Sequence, residues 1–104
     1  MDNDKIIVHV DKDLEAIVPN FLRNKRKDIE TMLQALKDKE FHEIEVLGHR
    51  IKGAGGGYGF DEISRIGASI EEAASQENIP IIQNSLEELR AYLSCVEVIY
   101  EEDL

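Results

Sequence analysis

A chain of 104 residues, 42% hydrophobic and 33% charged, is one domain's worth of foldable polypeptide, able to bury roughly 65% of its unfolded surface. Its 22 acidic and 12 basic residues give a net charge of −10, which argues against binding nucleic acid or an anionic membrane, since either needs a dominant basic face. The single cysteine, Cys95, supplies neither an internal disulfide nor a metal cluster, and it fits a reducing compartment.

The N-terminus, Met1-Asp2-Asn3-Asp4-Lys5, is acidic where a signal peptide is basic, and no apolar run approaches membrane-spanning length. The expectation is a single cytoplasmic domain over residues 1–104, working as a monomer. Charge is unevenly spread. Residues 1–60 hold 11 acids and 10 bases, whereas residues 61–104 hold 11 acids and 2 bases. The basic run Arg23-Asn24-Lys25-Arg26-Lys27 lies in the near-neutral part; alone, such a run reads as a solvated helix face.

In chain order, Ile6-Ile7-Val8-His9-Val10 is β-branched but has no second strand of comparable quality to pair with. It is read as an extended strap over residues 1–12, packed on a helical body over 13–100. A short helix is predicted over Asp11–Val18. The next begins at Pro19, which suits a first helical turn, and runs to Lys37, with Val18, Leu22, Ile29, Met32 and Leu36 as its apolar stripe. A third follows Asp38 as N-cap, with Ile44, Leu47, Ile51, Ala54 and Tyr58 at strict 3-4-3-4 spacing. A fourth covers Phe60–Gln76 around Ile63, Ile66 and Ile70. The fifth opens at Asn78 and continues through Ile82, Leu86, Leu89, Leu93, Val96 and Tyr100. The tail Glu101-Glu102-Asp103 is expected to fray. Stripes of this spacing and short connections predict an all-α fold: an antiparallel up-down-up-down four-helix bundle with a short additional N-terminal helix.

The chemistry is concentrated in His49-Arg50-Ile51-Lys52-Gly53-Ala54-Gly55-Gly56-Gly57-Tyr58-Gly59. At about 100° per residue, the seam of that helix lies about 140–220° from His49, so the imidazole points away from the core. Lys52, Gly53 and Gly56 share its face, with Glu45 and His42 one and two turns back. Interior helical glycine costs about 0.8–1 kcal/mol relative to Ala, so Gly53, Gly55, Gly56 and Gly57 together cost about 3–4 kcal/mol. Gly55 lies toward the seam, where it permits close helix approach. Gly53 and Gly56 lie on the histidine face, where their missing side chains leave room for a bulky incoming group. A neutral imidazole keeps a nucleophilic nitrogen at physiological pH, and Lys52 supplies a cation for an anion attached there.

His49-x-Ile51-Lys52-Gly53-Ala54, followed by Gly59, resembles the motif of the histidine phosphotransfer (HPt) domain family, H-x-[LI]-K-G-[AS] with a glycine ten residues after the histidine. The resemblance extends upstream through Phe21-Leu22, Leu36, Phe41 and Leu47. Downstream it includes Gly59-Phe60, Ile63, Ile66-Gly67 and Ile70-Glu71, so it covers about residues 13–98. It implies that His49 is the phosphoacceptor, Lys52 the phosphate-side cation, Gly53 the small residue that admits the partner, and Glu71 a group near the imidazole. The triplet Gly55-Gly56-Gly57 departs from the family, which more often has Ala, Ser or Asn there; this bears on the rigidity of that turn. The implied function is a stand-alone phosphorelay intermediate, not an enzyme, with response-regulator receiver domains as partners and a hybrid histidine kinase as a further candidate. It needs no cofactor of its own, since Mg²⁺ and most transfer catalysis come from the receiver. Arg50, Gly56, Lys25, Arg26 and Lys27 are the expected docking residues.

Other readings fare less well. The glycines do not form G-x-x-x-x-G-K-[ST] or G-x-G-x-x-G. His42, Glu45 and His49 share a face, but the outward direction and the absence of paired Glu-x-x-His motifs argue against a bundle metal site. The serines have no nucleophile-elbow context. The alternative that stays open is a helical interaction module whose histidine is never phosphorylated.

Overall fold

The computed structural model describes residues 5–102. Strand β1 (Ile6–Asp11) leads through a single 3₁₀ turn at Lys12–Leu14 into helices α1 (Val18–Lys37), α2 (Phe41–Gly57), α3 (Asp61–Ser75) and α4 (Ile79–Cys95), and β2 (Val96–Glu101) follows. Helix α1 packs on α2 and α4, and α3 packs on α2 and α4, which closes a four-helix ring around one core. Ile44, Ile51, Phe60, Ile63, Ile66, Ile70, Ile82 and Leu89 are wholly buried there, with Val18 and Met32 from α1. At one end Phe21 lies against Tyr58 and Phe60, with ring centroids 4.7 and 5.5 Å away.

All three helix connections use the same device. The chain passes through one left-handed residue, Lys39 (φ 55°), Gly59 (φ 88°) or Glu77 (φ 54°). The next N–H then reaches back to a carbonyl in the last turn: Glu40 to Ala35 at 2.9 Å, Phe60 to Gly55 at 2.8 Å and Asn78 to Ala73 at 2.9 Å. These are Schellman closures, which satisfy carbonyls a helix end would otherwise leave unpaired. Only Gly59 is the residue type that adopts this backbone without strain. Asp38 is therefore the C-cap of α1 and not the N-cap of α2, which begins at Phe41 without a side-chain cap. By contrast, Asn78 caps α4 as its type suggests, its side chain accepting from the Ile81 N–H at 3.2 Å.

Four expectations at the chain ends are corrected. The predicted helix over Asp11–Val18 is only the 3₁₀ turn, opened by the Asp11 carboxylate accepting from the Asp13 N–H at 2.9 Å. The last helix stops at Cys95 instead of running to Tyr100, and the strap is a true strand paired in parallel with β2, from Ile6↔Val96 to Asp11↔Glu101. Val96 and Tyr100 satisfy helical spacing, but Val96-Glu97-Val98-Ile99-Tyr100 is also rich in β-branched residues, which favour a half-buried pleat. Val10, wholly buried, and Val8, Val96, Val98 and Tyr100, partly buried, pack on the core, while Ile7, His9 and Ile99 face outward. Glu101 is not frayed: it is half-buried and contacts His9 Nδ1 at 2.5 Å. Asp103 lies outside the described residues.

Burial of Tyr92 has a consequence at high pH. Burial, reinforced by the negative charges of Glu62 and Asp61, pushes the Tyr92 phenol up. A folded value above the unfolded one, about 10, means that this contribution is intact below about pH 10 and is lost as pH rises further. Thermal melts from pH 8 to 11 are expected to show stability falling above about pH 10. The fall should be shallower in Tyr92→Phe; an identical slope in the variant would remove Tyr92 from the explanation.

Candidate functional site

The seam of α2 is set by Ile44 and Ile51, both wholly buried, with Leu47, Ala54 and Tyr58 half-buried beside them. Helical geometry then places His49 on the outer face, and its side chain is 70% exposed. Helix α2 remains helical through Gly57, so the glycine triplet does not end it early.

Glycine also brings α3 to this histidine. A Cβ built on Gly48 would lie 2.7 Å from the backbone nitrogen of Glu71, and one on Gly67 would lie 2.5 Å from that of Lys52. At Gly55 the obstacle is the Ser64 nitrogen, at 2.6 Å. The backbones of α2 and α3 therefore touch where any other residue would hold them apart. The Ser64 hydroxyl joins the two helices further, donating to the Lys52 carbonyl at 2.7 Å. Sequence reasoning gave Gly48 no role and saw Gly67 only within the family resemblance. The signal was present: Gly48 and Gly55 are seven residues apart on the buried side of α2, and Gly67 falls between Ile63 and Ile70 on that of α3.

That contact carries the Glu71 side chain across to α2. One carboxylate oxygen lies 3.0 Å from His49 Nδ1 and the other lies 3.8 Å from Lys52 Nζ. His49, Lys52 and Glu71, some 22 residues apart in sequence at the extremes, thus form one group. An ionised carboxylate accepts only, so the ring nitrogen facing Glu71 is the one that carries hydrogen. The lone pair of the neutral ring then sits on Nε2, the nitrogen away from Glu71. Beside it the surface is bare: nothing lies within 4 Å of a Cβ built on Gly53, and for Gly56 only the Ser64 hydroxyl does, at 3.8 Å. The arrangement is that of an oriented nucleophile with open space and an adjacent ammonium group.

The basic run of α1 is not one surface. Lys25 is buried, its Nζ 2.8 Å from Asp28 and 5.4 Å from the Phe21 ring centroid. Arg26 turns toward α4 and donates to the Leu93 carbonyl at 2.9 Å, so it lies in the α1–α4 groove and not beside the histidine. These two positions are a correction to the picture of a free basic rim, and the cause is the 100° rotation between successive helical residues. Lys27 remains exposed, one turn before Thr31, whose hydroxyl donates to the Lys27 carbonyl. Thr31 in turn lines the α1–α2 groove with His42, Val46, Leu47 and Arg50. Arg50 is exposed there. His42, whose side chain is 90% exposed, has Glu45 at 3.9 Å. Among the described residues no group of three or more His, Cys, Asp or Glu side chains is arranged to hold a metal ion.

A family model described as the Hpt domain matches residues 16–97, from just before α1 to the start of β2. The chain belongs to the Hpt domain family. No curated protein and no solved structure matches it. Membership implies histidine phosphotransfer within a phosphorelay, the chemistry of two-component signalling, and Hpt domains act there as phosphoryl carriers. Among the described residues no helix is long and apolar enough to cross a membrane.

Proposed function

We propose that this Hpt domain is a stand-alone phosphorelay intermediate whose phosphoacceptor is His49. The observation that carries the reading is the exposed imidazole whose Nδ1 is engaged by Glu71 at 3.0 Å. In the forward step the Nε2 lone pair forms a bond to the phosphorus of a receiver's aspartyl phosphate. The phosphorus–oxygen bond breaks and its electron pair returns to the aspartate carboxylate. Transfer to a second receiver reverses the roles. Lys52 offsets the phosphoryl charge, and Gly53 and Gly56 leave room for the receiver's loops. The chain is a carrier and not an enzyme: Mg²⁺ and the positioning of the moving phosphoryl group come from the receiver. A hybrid histidine kinase is a further candidate source of the phosphoryl group. The helices are read as antiparallel up-down-up-down neighbours, supported by three-residue connections, in a cytoplasmic monomer.

Docking is assigned to the α1–α2 side of His49, where Arg50 and Lys27 are exposed and Val46, 36% exposed, supplies an apolar contact. Receivers present an acidic pocket, so these two cations steer association and leave the chemical step alone. Rim charges act on association rate and salt dependence. A Lys27→Gln/Arg50→Gln variant is expected to accept phosphate from a receiver roughly three- to tenfold more slowly at low salt. Its rate should converge on the wild-type rate once the screening length falls to about 3 Å, near 1 M salt. Equal rates at low ionic strength would place docking elsewhere. The wider test is to present the chain with each phosphorylated receiver of its source and time the transfer. Transfer within seconds from at least one supports the relay. No transfer from any favours the alternative, an interaction module with a silent histidine.

A further inference from the structure

Phosphorylation changes what the Nδ1 proton does. Once the Nε2–phosphorus bond has formed, a ring that still carries hydrogen on Nδ1 is a cationic phosphoimidazolium. The next nucleophile, a receiver carboxylate or water, then attacks phosphorus and displaces a neutral imidazole, the electron pair of the breaking bond returning to Nε2. If Nδ1 has lost its proton, the same step must expel an imidazolide anion, a much poorer leaving group. How long the phosphoryl group stays, and how readily it is handed on, therefore depends on whether Nδ1 keeps its hydrogen.

Glu71 stands at that atom. Its carboxylate reaches from α3 to within 3.0 Å of Nδ1, and its side chain is only 27% exposed against 70% for the histidine. Two charged groups of α2 share this face: Lys52 one turn on, 3.8 Å from Glu71, and Glu45 one turn back, beside His42. On α3 the residues preceding Glu71 on the same face, Ala68 and Ser64, are uncharged. A hydrogen bond from a cationic ring to a carboxylate is roughly twice as strong as one between neutral groups. An amide at this position would hold the ring in place without balancing its charge.

Resting on the carrier role proposed above, we infer that Glu71 is a positioning residue that retains the proton on Nδ1 of phosphorylated His49 and so keeps the phosphoryl group transferable. Glu71 in this role touches neither phosphorus nor the receiver. It acts through the ring, and it makes the phosphorylated protein a strong donor at the expense of its lifetime in water.

The test uses the whole chain as wild type, Glu71→Gln and Glu71→Asp. Each is phosphorylated with phosphoramidate, which needs no receiver, freed of reagent and followed by ³¹P NMR from pH 5 to 10. Loss of phosphohistidine is expected to be fast at low pH and to slow through a midpoint. Glu71→Gln should lower that midpoint by about one pH unit, the small end of the range for an opposite charge at this distance, because the ring is largely exposed. Between the two midpoints the variant's phosphohistidine should last up to about tenfold longer. Glu71→Asp, which keeps the charge, should recover part of the shift, and the ¹⁵N shift of Nδ1 should report loss of its hydrogen at lower pH in Glu71→Gln. Superimposable profiles for wild type and Glu71→Gln would overturn the inference and leave the carrier reading standing. A folded Glu71→Gln chain that takes no label would also overturn it, by placing Glu71 in bond formation. If the midpoint shifts but no receiver labels the wild type, the carrier reading fails and the proton-retaining role of Glu71 remains.

Discussion

Replacing His49 by Gln is expected to abolish phosphoryl acceptance while moving the melting temperature by no more than about 2–4 °C, the equivalent of about 0.5 kcal/mol in a domain of this size. Function is lost because an amide nitrogen has no lone pair available to attack phosphorus. Stability is retained because little is buried at this position. The side chain is 70% exposed, and its hydrogen-bond partner Glu71 keeps Lys52 at 3.8 Å when the ring is gone. His42 and His9 serve as internal controls. His42 is more exposed, with the Glu45 carboxylate 3.9 Å away, and His9 lies in the two-stranded sheet beside Glu101. Acid-labile label, counted after incubation with a phosphorylated receiver, should vanish from the variant. Label that persists there would mean that one of those two histidines, or another group, is the acceptor.

The second large effect separates two kinds of glycine on the same pair of helices. Gly67→Val is expected to destabilise the fold by about 3 kcal/mol, the upper part of the usual range for overpacking. The obstacles are backbone atoms of Lys52 at 2.5 Å and of Gly48 at 2.9 Å, which cannot rotate away. The gain in helix propensity over Gly, about 0.5 kcal/mol, is too small to compensate. A partial separation of α2 and α3 also draws Glu71 from His49, so transfer should suffer even in molecules that stay folded. Gly53→Gln is expected to do the reverse. No atom lies within 4 Å of the new Cβ, and replacing an interior helical glycine should add about 0.5–1 kcal/mol of stability. Its side chain fills the bare surface beside the ring, and transfer should fall on the order of a hundredfold, as for other displacements of a reacting pair. Chemical denaturation and timed transfer on both variants check this. A Gly53→Gln chain that is fully active, or one that unfolds, would show that the bare surface is not there for a partner.

Most of the helical body was legible because burial and period agree within it. Ile63, Ile66 and Ile70, and Ile82, Leu86, Leu89 and Leu93, are core residues in both the pattern and the structure. The direction of His49 was legible for the same reason, since a seam at 3-4-3-4 spacing leaves one opposite face. What failed depended on contacts distant in sequence. Val96–Glu101 is a strand only because Ile6–Asp11 lies beside it, and a lone sequence window cannot weigh a partner some 90 residues away. The left-handed turns at Lys39 and Glu77 were invisible because neither residue type favours that backbone; Gly59 was read only as part of the family motif, although its residue type is the one that turns this way without strain. Lys25 was read as a free charge because a lysine rarely buries its stem so fully, and nothing local shows that Phe21 and Asp28 will enclose it. Glu71 reached the site list through family resemblance; its physical cause, the backbone contact at Gly48 and Gly67, appears only when α3 is laid on α2.

The central claim is that a receiver's phosphoryl group comes to rest on one nitrogen of one side chain. The most direct measurement is to incubate the chain with a phosphorylated receiver, quench at alkaline pH and map the phosphate by mass spectrometry and ³¹P NMR. The account predicts a single phosphorylated residue, His49, modified at Nε2, the nitrogen that Glu71 leaves free. Phosphate found on Nδ1 of that ring, on His42 or His9, or nowhere on the chain, would contradict it.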